Sequence, residues 1–250
     1  MNKEQIKMPL QLKELRLPSV NQHWQQVLEE AQASGWTFEK FLTCLLEIEI
    51  ADRQTRKLKK HLQEACLPKG KAIETYDFSC SSKIDKNQIK ELCRNPAWVK
   101  EGMNLLIFGP SGVGKTHLAS AIGEKLIQSG YRIIFYRTTE LVQKLMEAKR
   151  DLCLPAFLDK LDKYDLLILD DFGYVKKDEF ETSVLFELIC ERYERKSLLI
   201  TCNQPFKEWD QIFTDKTMAI AAVDRIVHHA IIFEINEESY RKKTALKRRS

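Results

Sequence analysis

The chain has 250 residues, of which 44% are hydrophobic and 30% charged, with a formal net charge of +4 at pH 7. That balance fits a globular protein with a sizeable buried core, and the mild charge does not by itself announce nucleic acid. No apolar run approaches the roughly 20 residues needed to cross a bilayer, and the opening "MNKEQIKMPLQLKEL" lacks the apolar centre of a secretory signal.

In chain order, residues 10–66 have helical periodicity throughout, clearest in "VNQHWQQVLEEAQ" and in the long run beginning "TFEKFLTCLLEIEI". Thr37 can start the second of these helices, although Glu39 falls one position short of a capping box. Pro68 and Gly70 then break the pattern, which places a linker and core entry at 67–100 after a helical domain at 1–66. From residue 101 the rhythm changes. Short β-rich runs at 103–108, 131–136, 165–169, 197–201 and 230–235 alternate with helical stretches. Continuous apolar strands separated by helices predict an α/β domain with a five-stranded parallel sheet and helices on both faces. Only fifteen residues follow the fifth strand, which leaves no room for a further helical domain. The seven cysteines are scattered and never form a C-x-x-C pair, so they read as reduced thiols rather than a disulfide frame or zinc site.

Three motifs carry chemistry. The first, "GPSGVGKT" (Gly109, Pro110, Ser111, Gly112, Val113, Gly114, Lys115, Thr116), follows a strand and opens a helix. Glycines let successive N–H groups turn inward around phosphates, and the helix N-terminus adds partial positive charge. Lys115 is suited to the β and γ phosphates and Thr116 to Mg²⁺, with His117 next along the helix. In the second, "YDLLILDDFG", Asp170 stands at a strand end as the metal-side acid and Asp171 where a base orienting the attacking water is needed. The third, "LLITCNQP", ends a strand near Asn203, whose amide can bond a γ phosphate or simply begin the turn before Pro205.

A fourth stretch, "AAVDRIVHHA" (221–230), is more open to interpretation. On a helix, Val223, Ile226, Val227 and Ala230 make one apolar stripe, leaving Asp224, Arg225, His228 and His229 opposite. A metal site, a catalytic dyad and a solvated surface all fit that pattern. Against a metal, the histidines are adjacent rather than four apart, and no acidic third ligand is marked. Asp224 with His228, and Arg225 with His229, have the spacing to brace the helix surface.

Together with "CNQPFKEWDQIF" and "ESYRKK", these motifs resemble the AAA+ ATPases of the IstB and DnaC type, most closely the IstB helpers encoded beside insertion-sequence transposases. The resemblance spans essentially the whole chain. It implies a P-loop AAA+ core at 101–250 without a C-terminal lid domain, binding ATP and Mg²⁺. It further implies an ATP-dependent homo-oligomer on duplex DNA, a cognate transposase as partner, no membrane, and a bacterial cytoplasmic, nucleoid-associated location. Arg225 matches the arginine finger that completes a neighbour's ATP, Asn203 the sensor residue, and Arg241 lies near where a second sensor arginine could come from. Many members have Asp-Glu where this chain has Asp170-Asp171, and the shorter side chain reaches one methylene less far toward the water. DNA contacts implied by the family fall on Lys144, Lys149 and Arg150, or on the basic block Arg53, Arg56, Lys57, Lys59 and Lys60. Solvated helix charge is the competing reading of both. Tyr76 and Phe78 precede the core and fit either adenine packing or core packing. A replicative helicase loader of the DnaC type uses the same engine. A small-molecule P-loop kinase needs an acceptor-binding lid of arginines that this sequence does not display.

Overall fold

The computed structural model describes residues 3–78, 84–173, 178–204, 208–209, 212 and 216–235. The chain divides into two compact units, residues 1–60 and 61–250. The first consists of α1 (Lys3–Glu14), α2 (Pro18–Ala33) and most of α3 (Phe38–Glu64). Its core is Val20, Trp24, Val27 and Leu45, with Leu12, Leu28, Phe41 and Ile48 packed around them. Leu17 at the start of α2 offers no capping side chain. Buried Glu49 of α3 does that work instead, accepting the Ser19 and Val20 backbone N–H groups at 2.9 and 3.2 Å. Burial pushes the Glu49 carboxyl upward, but these bonds and Arg53 at 2.8 Å outweigh it and hold the group below its usual value.

The larger unit continues with α4 (Lys86–Arg94), α5 (Ala97–Lys100), β1 (Asn104–Phe108), α6 (Lys115–Gln128), β2 (Ile133–Arg137), α7 (Thr138–Arg150), α8 (Leu154–Asp162) and β3 (Leu166–Asp170). It closes with α9 (Glu179–Arg192), β4 (Ser197–Cys202), α10 (Lys216–His228) and β5 (Ala230–Glu234). All five strands are parallel, in the order β2-β3-β4-β1-β5. The three middle strands are buried along their whole length, which is why they read as continuous apolar runs.

Alternation along the strands splits the core. Leu106, Phe108, Leu167, Leu169, Leu198 and Ile200 point to the side covered by α7, α8, α9 and α10. On the other face Gly123 of α6 approaches so closely that a Cβ there would stand 2.9 Å from Ile168 Cδ1. Helix α9 begins with a reciprocal cap, Asp178 accepting from Glu181 N at 2.8 Å and Glu181 accepting from Asp178 N at 3.0 Å. It ends on Arg192, whose buried guanidinium donates to the carbonyls of Leu161, Tyr164 and Ser197 at 3.0 to 3.1 Å. Burial lowers the pKa of Arg192 to about 10, which leaves it cationic at neutral pH.

Two sequence boundaries shift. The end of α3 belongs with the larger unit, because Phe135 N donates to Ala65 O at 2.9 Å and Arg132 pairs with Glu64 at 3.3 Å. The segment 67–100 contains α4 and α5, which bury Ile89, Trp98 and Val99. Helix α10 ends at His228 and Ala230 already lies in β5, so the apolar stripe read over Val223, Ile226, Val227 and Ala230 is a helix followed by a strand. Ala219, Ala222 and Ile226 of α10 are buried, with Val223 and Val227 packed partly against the core.

Candidate nucleotide site

The loop after β1 turns through three glycines of positive φ: Gly109 at 150°, Gly112 at 86° and Gly114 at 98°. These angles are costly for any residue with a Cβ, so the glycine spacing is dictated by the turn itself. The loop is anchored across the sheet by Gly109 N donating to Cys202 O at 3.2 Å. Lys115, the first residue of α6, is buried and folds back so that Nζ donates to the Gly109 and Pro110 carbonyls at 2.7 and 2.9 Å.

At the carboxyl end of β3, Asp170 is 3% exposed. Its carboxylate accepts from Thr116 Oγ1 at 2.9 and 3.0 Å and from Thr201 Oγ1 at 2.6 Å. Burial is the largest influence on this group and raises its pKa, aided by neighbouring Asp171 and opposed by both threonines and Lys115. A buried carboxylate beside a hydroxyl at a helix start is the hard oxygen donor set that suits Mg²⁺. Asp171 is exposed and takes a left-handed conformation, φ 56°, with its N–H donated to Thr201 Oγ1 at 3.0 Å. Thr201 thus serves both acids. Among the described residues the Oδ1 of Asn203 is buried without a hydrogen-bond partner, an acceptor left over at the same edge of the sheet.

Residues 72–78 cover the start of α6. His117 Nε2 lies 2.8 Å from Ala72 O and 3.2 Å from Thr75 Oγ1. Buried Tyr76 meets the His117 ring edge-on at 5.3 Å and Phe78 at 4.7 Å. It also lies close enough to Gly114 that a Cβ there would stand 3.1 Å from Tyr76 Cε2. Tyr76 is therefore part of the loop's wall, with Phe78 against its ring.

Arg225 is elsewhere. It lies inside α10, about a turn before that helix ends at His228 and the chain passes into the amino end of β5, whereas the phosphate loop leaves the carboxyl end of β1. Asn104 fixes this junction: its Nδ2 donates to Ile226 O at 2.9 Å and its N–H to His229 O at 2.7 Å, while its Oδ1 accepts from Leu198 N at 2.9 Å. The Arg225 guanidinium donates to Ala221 O at 2.9 Å and stands over the Phe186 and Tyr193 rings at 5.4 and 5.8 Å.

The family model for IstB-like ATP binding proteins matches residues 10–248. The chain belongs to that family. An insertion sequence ATP-binding protein of Sinorhizobium fredii, y4iQ/y4nD/y4sD, is 50% identical over 243 residues, covering 97% of this chain and 82% of its own. The ATP-binding protein of insertion sequence IS21 from Pseudomonas aeruginosa is 36% identical, covering 93% and 87%. Among solved structures, AMPPCP-bound DnaA from Aquifex aeolicus superposes with a TM-score of 0.57 at 22% identity, over 73% of this chain and 55% of that one. The DnaC helicase loader superposes at 0.53 and 21%, over 67% and 97%. These likenesses establish the AAA+ P-loop fold.

Within this IstB-like chain the basic residues picked out for DNA are mostly engaged with nearby acids. Lys144 pairs with Glu140 at 2.8 Å, Lys149 with Glu187 at 2.7 Å and Arg150 with Asp151 at 3.8 Å. In the helical unit Arg53 pairs with Glu49 at 2.8 Å and Arg56 with Asp52 at 2.9 Å. Lys57 and Lys59 are exposed. Arg241 lies outside the described residues. Sequence reasoning passed over Thr201, Thr138, whose hydroxyl donates to Asp170 O at 2.9 Å, and Asn104. The available signal was a polar residue at the end of a buried strand, where no core packing calls for one. The expected braces between Asp224 and His228 and between Arg225 and His229 give way to other partners: His228 Nδ1 and His229 Nε2 approach Glu194 Oε1 at 3.7 and 3.4 Å.

Proposed function

We propose that this IstB-like protein is an ATPase that assembles head to tail on duplex DNA, prepares that DNA for a partner transposase, and is reset by hydrolysis. The supporting observation is that the Arg225 guanidinium is held by Ala221 O of its own helix and by the Phe186 and Tyr193 rings, not by the phosphate loop. A guanidinium turned to α9 rather than to its own phosphate loop is useful to a neighbour, and head-to-tail contacts are those that propagate into rings or filaments.

In this reading the loop N–H groups and the N-terminus of α6 hold the phosphates, and Lys115 leaves its carbonyl partners to meet the β and γ oxygens. Thr116 and Asp170 hold Mg²⁺, which when bound neutralises charge on the phosphate oxygens. Asp171 orients the attacking water and accepts its proton, and Asn203 spends its unpaired Oδ1 on the same water. Arg225 of the next subunit stabilises the transferring phosphoryl group, a contribution of roughly 10³ to 10⁵ in rate. DNA contact is through phosphates, with exposed Lys57 and Lys59 the candidates best placed to reach them.

The test is to incubate the protein with a slowly hydrolysed ATP analogue and duplex DNA and image the product. Nucleotide-dependent oligomers on the duplex are expected. Failure to assemble on DNA in any nucleotide state contradicts the proposal, and assembly confined to single strands points to the helicase-loader function instead.

A further inference from the structure

Among the described residues, one group of three histidine or acidic side chains gathers its ligand atoms within 4.8 Å: Glu194, His228 and His229. The group lies at the amino edge of the sheet, away from the phosphate loop. Glu194 Oε1 is 3.4 Å from His229 Nε2 and 3.7 Å from His228 Nδ1. Two ligands of a tetrahedral ion bonded at about 2.0–2.1 Å stand about 3.4 Å apart, so both separations are close to one edge of a zinc tetrahedron. We propose that Glu194, His228 and His229 form a binding site for a zinc-class divalent cation, leaving a fourth position to water.

The backbone presents these side chains in fixed positions. Glu194 occupies a left-handed turn, φ 56°, directly after α9. That turn is wedged against Gly102, where a Cβ would stand 3.0 Å from the Glu194 carbonyl carbon. His229 is fixed by the bond from Asn104 N to its carbonyl at 2.7 Å. Adjacent histidines diverge within a continuous helix. Here the chain passes from α10 to β5 between residues 228 and 230, and the two rings converge to 4.1 Å. The Tyr193 hydroxyl is hydrogen-bonded to His228 Nδ1 at 2.8 Å, and a cation at the site takes that nitrogen in its place. All three side chains are about half exposed, at 50 to 53%, so core packing does not account for their meeting and solvent has direct access. Two imidazoles and a carboxylate select a borderline metal such as zinc, nickel or copper over Mg²⁺, which keeps this site distinct from the nucleotide's. A cation here ties the end of α10 to the turn after α9.

The experiment uses the full chain, freed of metal by chelation and without nucleotide or magnesium, titrated with Zn²⁺ by calorimetry and with Co²⁺ by absorption. One equivalent is expected, with the visible band of four-coordinate cobalt and no thiolate charge-transfer band. Glu194→Gln and His229→Ala should each weaken binding by at least about tenfold, whereas Asp224→Asn should leave it unchanged. Both altered side chains are exposed, and an unchanged melting temperature in the metal-free state verifies the fold of each variant. Absence of a stoichiometric site, equal binding by the variants, or a thiolate band placing the ion on cysteine overturns the proposal.

Discussion

Gly109→Ala is the substitution whose consequence can be worked most fully from the structure. A Cβ at this position would stand 2.4 Å from Ile235 O, 3.0 Å from Ile235 Cβ and 3.2 Å from Val113 Cγ2. Reaching an ordinary separation of about 3.5 Å requires the Ile235 carbonyl to retreat by about 1 Å. It is poorly placed to do so, because Ile235 N is bonded to Phe108 O at 2.8 Å and its side chain is 1% exposed. The overpacking costs about 1–3 kcal/mol and the strained φ of 150° adds about 1–3 kcal/mol. For a unit of this size the sum of about 2–6 kcal/mol lowers the melting temperature by roughly 5–20 °C. Nucleotide affinity should fall as well, since the loop's N–H groups tilt with Gly109. Gly130→Ala separates the two causes: its φ is 93°, but nothing lies within 4 Å of the added Cβ. That variant should lose only the conformational share and bind nucleotide as the parent does. Differential scanning fluorimetry and titration with a fluorescent ATP analogue provide both readings. A Gly109→Ala protein that melts no lower than Gly130→Ala and binds nucleotide normally would refute the reasoning.

Asp170→Asn tests the electrostatics of the acid. Burial raises the folded-state pKa above the unfolded value of 3.8, so the folded chain holds its proton more tightly. Stability from this group is therefore full below 3.8 and is lost as pH rises through the folded value, leaving a destabilising carboxylate at neutral pH. Without nucleotide, Asp170→Asn should melt above the parent at pH 7 and converge with it in acid, while losing the extra stabilisation that ATP gains from Mg²⁺; melting curves with and without both ligands decide. Arg192→Lys keeps the charge but not the planar fork that reaches three carbonyls, and should cost roughly 2–4 kcal/mol in denaturant unfolding. Lys57→Ala should reduce the salt dependence of DNA binding by about one counterion in a log–log plot. Lys149→Ala, which removes a charge already paired with Glu187, should change that slope less.

The architecture was legible because fully buried parallel strands are continuous apolar runs and each helix between them has its own period. The phosphate loop and Asp170 were legible because local backbone geometry fixes the spacing of the first and a strand end marks the second. What escaped depends on partners across the sheet. Thr201 becomes a partner of Asp170 only because β3 lies beside β4, and Asn104 becomes a staple only because α10 ends over β1. Helix α8 was not singled out: the chain turns before it at a left-handed Leu152, a non-glycine residue, and only Pro155 in its first turn marks its start. Glu194, far from the two histidines in sequence, was invisible as their third member for the same reason.

The central claim is that Arg225 completes a neighbour's ATP, and mixing two inactive variants tests it most directly. Asp171→Asn retains the arginine but lacks the base, whereas Arg225→Ala retains the base and its own phosphate loop. Each alone should bind ATP and assemble with little turnover. In a head-to-tail assembly of equal amounts, about a quarter of the interfaces join an unaltered acid to an unaltered arginine. Steady-state ATP hydrolysis by the mixture on duplex DNA should recover to about that fraction of the parent's rate. A mixture no more active than its separate components, formed from variants that demonstrably co-assemble, would place the arginine's action within its own subunit and contradict the account.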